Sequence, residues 1–157
     1  MILNENDIDS VFLDDAVFSE SNNKLFITYM LSRRRSSYIT SYFNYYDLQI
    51  KEFHKSPITL PWSLNPYNIE YSPKRKEVYT VGASDKLYII DTGNETLKDS
   101  IILIGKTQSP SEIILRNDEN ILFISCPNNN SILAIDLNKR KVVKNISLEH
   151  PYFLFIP

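Results

Sequence analysis

Few side chains in this sequence could do chemistry. The histidines are His54 and His150, and the one cysteine is Cys126. His54 sits in "KEFHK" and His150 directly precedes Pro151. Neither has a neighbour that marks a general base or a metal ligand, so both read as ordinary surface histidines. A single cysteine excludes an internal disulfide and a Cys-based zinc site. Cys126 follows an apolar run and reads as a buried, inert thiol. No glycine-rich phosphate loop, nucleophile elbow or zinc signature is present. The expectation is a protein without catalytic residues, metal ligands or cofactors.

Recognition chemistry is better represented. "LSRRRSSYITSYF" places Arg33, Arg34 and Arg35 beside Tyr38 and Tyr42, and "KSPITLPWSLNP" carries the only tryptophan, Trp62. Arginine and aromatic residues dominate the energetics of protein interfaces. They also suit a phosphate backbone with stacked bases. The chain holds 17 Lys and Arg against 19 Asp and Glu, a net charge of -2, so no global field recruits nucleic acid. These six residues are therefore candidates for a protein-partner surface. The plainer alternative is a solvated hairpin tip with its tyrosines packed beneath it.

Three aspartates recur at near-equal intervals of about 44 residues: Asp47 in "FNYYD", Asp91 in "KLYIID" and Asp136 in "SILAID". Each follows an apolar run. A carboxylate there can cap the backbone N–H groups of the next turn. A repeated metal ligand is the alternative, but each unit offers one such group, far from its copies.

The spacing of Pro66 and Pro110 repeats the same interval. Each unit reads as four short apolar runs separated by turn sequences. In the second unit the runs are Tyr67–Tyr71, Val78–Val81, Leu87–Ile90 and Leu97–Leu103, with "SPKRK", "GASD" and "TGNE" between them. Asn, Asp, Gly and Pro supply the turn conformations. The middle runs ("LYII", "ILFI") are continuously apolar, which suits sheets covered on both faces. Short antiparallel sheets stacked on copies of themselves are the mark of β-propeller blades.

"NPYNIEYSPKRKEVYTVGASDKLYIIDT" and the unit after it resemble the YVTN-type β-propeller repeat. Pro66, Ser72-Pro73, Val78-Tyr79-Thr80-Val81 and Ile90-Asp91 carry the likeness. The third unit keeps Pro110 and Ile135-Asp136 but has Arg116-Asn117 where Ser-Pro would stand, and the first unit lacks the leading proline. The resemblance implies an all-β chain and one partial propeller domain. Blade one spans about 12–60, blade two about 66–104 and blade three about 110–148, and a fourth begins at 151–157. It implies fold far more than function.

Three blades do not close a ring. Further blades in a longer parent chain, self-association, and a different partner chain are all open. Unit one carries extra residues between its second and third runs, within Leu31–Phe43, a position where propellers vary their rim loops. Aligned units place Asp15, Asn68 and Glu112 at equivalent points at the start of the inner strand. There they are candidates for a polar or cationic ligand at the mouth of a central channel.

The function expected is a non-catalytic binding or scaffold protein that presents a loop face. The alternative is part of a propeller enzyme or ligand-binding subunit with its site in the completed channel. No stretch approaches the ~20 apolar residues of a membrane span. "MILNENDIDS" lacks the basic and apolar regions of a signal peptide, so the cytoplasm is the expected compartment.

Overall fold

The computed structural model describes residues 8–33, 36–61, 66–103 and 110–155. Three antiparallel sheets follow one another along the chain. The first contains β1 (Ile8–Ser19), β2 (Lys24–Arg33), β3 (Ser36–Asp47), β4 (Glu52–Phe53) and β5 (Ile58–Thr59). The second is β6 (Pro66–Ser72), β7 (Glu77–Gly82), β8 (Lys86–Asp91) and β9 (Thr96–Ile102). The third is β10 (Glu112–Leu115), β11 (Ile121–Cys126), β12 (Ser131–Asp136) and β13 (Lys141–Ser147). In the second and third sheets the strands lie in chain order; in the first, β1 to β4 do, and β5 pairs with β3. Among the described residues the one helical piece is a 3-10 turn at Pro127–Asn129.

The turns explain why these strands end where they do. Asp47 Oδ1 accepts from Gln49 N at 2.9 Å and Ile50 N at 3.2 Å. Asp91 Oδ1 accepts from Gly93 N at 2.8 Å and Asn94 N at 2.9 Å. Asp136 Oδ1 accepts from Asn138 N at 3.0 Å and Lys139 N at 2.9 Å. The recurrent aspartate is the cap of the third turn in every sheet. The chain then leaves each turn through a left-handed residue: Lys51, Glu95 or Arg140, with φ of 58°, 56° and 53°. Asn23, Lys76 and Glu119 close the first hairpins in the same conformation.

The sheets stack face to face. Alternate residues of β8 serve opposite seams, as the period of two requires. Tyr88 and Ile90 join Phe26, Phe43, Leu60, Ile69, Tyr71 and Val78 between the first and second sheets. Leu87 and Ile89 join Tyr79, Val81, Leu122, Ile124, Leu133 and Ile135 between the second and third. Burial on both faces accounts for the unbroken apolar runs.

The first sheet departs from the other two. The extra residues between its second and third runs, as far as they are described, continue the strands. They lengthen the strands: β2 has 10 residues and β3 has 12, against 6 in each of β7 and β8. Pairing continues to Arg33 opposite Ser36. The fourth strand is split. Glu52–Phe53 pairs with Tyr46 and Asp47, and Ile58–Thr59 pairs with Tyr42 and Phe43, with Pro57 in the interruption.

Of the expected fourth unit, Pro151–Phe155 is described, and it belongs to no ladder. It runs beside β10. Ser111 Oγ donates to Tyr152 O at 2.6 Å, and Leu154 N donates to Glu112 Oε2. Phe153 and Phe155 are 89% and 86% exposed.

Candidate functional site

The long strands of the first sheet build an arm that the other two sheets lack. Along it Val11 pairs with Leu31 and Leu31 with Thr40. One step down, Leu13 pairs with Tyr29 and Tyr29 with Tyr42. Val11 and Leu13 are 62% and 66% exposed, and Phe12 and Ile39 are also exposed. The arm thus holds apolar residues in water on both of its faces, where a blade strand ordinarily buries them.

Of the six residues singled out for partner contact, Arg34, Arg35 and Trp62 lie outside the described residues. Arg33 and Tyr38 contribute backbone to β2 and β3, and their side chains are likewise outside them. Tyr42 is buried, and its ring stacks on Tyr29 with centroids 5.4 Å apart. It stiffens the base of the arm and is not itself an open contact residue. The exposed apolar residues of β1 were missed in the sequence. Nothing local to Val11–Leu13 reveals that the hairpin beyond them outgrows its neighbours.

Asp15, Asn68 and Glu112 do occupy equivalent positions, one on each inner strand, and each reaches the segment that follows in the next unit. Asp15 Oδ2 accepts from Ile69 N at 3.0 Å. Asn68 Nδ2 donates to Ser111 O at 3.2 Å. Glu112 takes the amide of Leu154. These side chains clip one unit to the next. Asp14 stands at a β-bulge beside Asp15, and burial together with the Asp15 charge pushes its carboxyl up to about 6. Among the described residues no three His, Cys, Asp or Glu side chains converge as a metal site requires.

Two charged clusters cross the seams. Glu77, 2% exposed, accepts from Arg140 Nη2 at 2.6 Å, Tyr79 Oη at 2.7 Å and Lys98 Nζ at 2.9 Å. Burial alone would raise its carboxyl. The three donors outweigh burial and hold it below the usual carboxylate range. Across the other seam, His54 Nε2 lies 3.1 Å from Glu95 Oε2, and Tyr45 Oη donates to Glu95 Oε1 at 2.7 Å. Tyr45 stacks on His54 with centroids 4.8 Å apart, and Lys24 Nζ sits 3.7 Å above the Tyr45 ring. Burial, then Glu95, pushes the Tyr45 hydroxyl up to about 12. His54 is thus a seam residue, a role that sequence could not reveal because its partner lies in the next unit.

No family model matches the chain. No curated protein matches it either. Solved structures do. Hydrazine synthase of Kuenenia stuttgartiensis aligns over 80% of this chain and 34% of its own, at 19% identity and a TM-score of 0.58. Apo AztD from Citrobacter koseri aligns over 88% and 47%, at 16% identity and a TM-score of 0.59. A chain of a nidogen/laminin complex aligns over 87% and 47%, at 14% identity and a TM-score of 0.61. This chain therefore spans less than half the length of each of these three structures. At such identities the likeness concerns fold alone. Among the described residues no helix is long and apolar enough to cross a membrane. Stacked four-stranded sheets in chain order and these neighbours together make the protein an all-β, β-propeller-like array of blades.

Proposed function

We propose that the protein is a non-catalytic binding or scaffold module of the YVTN propeller type, with a protein partner engaged through the first-blade arm. One observation carries the proposal: strands β1 to β3 outgrow the blade and hold Val11, Phe12, Leu13 and Ile39 in water. In the sequence Arg33, Arg34 and Arg35 fall where β2 gives way to β3, and Trp62 falls between β5 and β6. Exposed apolar residues together with arginine and aromatics are the composition of interface hot spots. Supporting it in kind, one structural neighbour was solved as a nidogen/laminin complex. Further blades, from a longer parent chain or by self-association, complete the ring and cover the outer faces.

The test is affinity capture with three baits: wild type, Arg33→Ala/Arg34→Ala/Arg35→Ala, and a variant whose arm is cut back to the length of the β7–β8 hairpin. A protein retained by wild type and lost from both variants supports the proposal. Equal recovery on all three baits overturns it.

A further inference from the structure

A cleft of about 680 Å³ opens between the first two blades, at the end of β1 opposite the arm. Val17, Phe18 and Glu20 line it from the first blade, and Glu70, Tyr71 and Pro73 from the second, among others. Phe18 is half-exposed there. Tyr71 forms the firmer wall. Its ring centroid lies 4.9 Å from that of Phe26, and its hydroxyl accepts from Asn22 Nδ2 at 2.7 Å.

The charge of the cleft has one sign. Among the described residues neither Glu20 nor Glu70 forms an ion pair. Three basic side chains close in sequence are engaged elsewhere. Lys24 Nζ sits over the Tyr45 ring. Lys74 Nζ reaches Asp118 O at 3.5 Å, and Arg75 donates to Glu119 O at 2.8 Å and to Asn120 Oδ1 at 3.1 Å, all in the third blade. Glu70 Oε1 accepts from Leu115 N at 3.4 Å, too long a bond to meet a full charge. Asp15 is clipped to Ile69 N, beside Glu70, and adds to the same field. Burial, and then the Asp15 and Glu112 charges, push the Glu70 carboxyl up to about 7 against the pull of the Leu115 amide.

We propose that this cleft binds a small organic cation, with an ammonium group on Glu70 and Glu20 and an apolar or aromatic body against Phe18. A concave site with an aromatic wall and a few carboxylates suits such a ligand: the carboxylates orient the charge, and the ring takes the body or the cation itself. The cleft is built from blades one and two alone. It needs neither further blades nor a partner on the arm.

Titration of the full chain with phenethylammonium at about pH 8, where Glu70 is ionised, tests this through the NMR shifts of Val17, Phe18 and Tyr71. Saturable shifts confined to the cleft are expected. Phenylacetate, similar in shape but opposite in charge, should give none. Glu70→Gln should weaken binding on the order of tenfold. Phe18→Ala, at a half-exposed position and checked for folding by circular dichroism, should weaken it several-fold. No saturable shift up to about 10 mM, equal binding of phenylacetate, or either folded variant binding as well as wild type would each overturn the proposal.

Discussion

Replacing Arg140 by Met asks how much of the seam between blades two and three depends on charge. Arg140 donates to Glu77 at 2.6 Å, and the Glu77 side chain is 3% exposed. Removing one partner of a buried ion pair commonly costs about 3–5 kcal/mol, because the remaining charge is left desolvated. Here Lys98 at 2.9 Å and Tyr79 at 2.7 Å remain on the carboxylate, and the Arg140 side chain is itself 29% exposed. The cost therefore falls to about 2 kcal/mol, a loss of roughly thirtyfold in the folding constant and about 4–8 °C in Tm.

The pH dependence has a definite sign. Glu77 has a folded pKa below its unfolded value, so its stabilisation is fully present above the unfolded carboxylate range and is lost as pH falls through the folded value. The penalty of Arg140→Met should be full at pH 7 and shrink as pH falls below the ordinary carboxylate range, since Glu77 takes up its proton at higher pH in the variant than in wild type. Urea unfolding at pH 7 and pH 3.5, followed by fluorescence and circular dichroism, measures both. A cost under about 0.5 kcal/mol at pH 7, or one equally large at pH 3.5, would refute the reasoning.

Two further substitutions probe the core and the turns. Ile89, fully buried between the second and third blades, should lose about 3 kcal/mol on truncation to Ala, read from the urea midpoint. Lys51, exposed and left-handed at φ 58°, should gain about 0.5–1 kcal/mol when replaced by Gly, seen as a raised Tm, since glycine carries no steric cost there.

Much of this fold was legible because each unit restates it. Asp47, Asp91 and Asp136 announce the third turn three times, and the same hydrogen bonds form at each. The apolar alternation of β8 is masked in sequence by burial on both faces, yet the tandem unit still identified the stack. The length of the first hairpin was visible as extra residues. Their conformation was not, since strand extension depends on cross-strand pairs such as Tyr29–Tyr42 that form only once the hairpin exists. Asp15, Asn68 and Glu112 were found by alignment of the units, but their partners belong to neighbouring blades. Glu77, Glu95 and Glu70 act across seams for the same reason, and no local motif marks them.

Side-chain proximity by NMR tests the stacked-blade arrangement most directly, through two neighbours on one strand. Ile89 should show nuclear Overhauser contacts to methyls of Leu122, Ile124 or Ile135, while Ile90 contacts the rings of Phe26 or Phe43. Contacts from both isoleucines to the same blade, or backbone pairing that joins β5 to β6 in one continuous sheet, would contradict it.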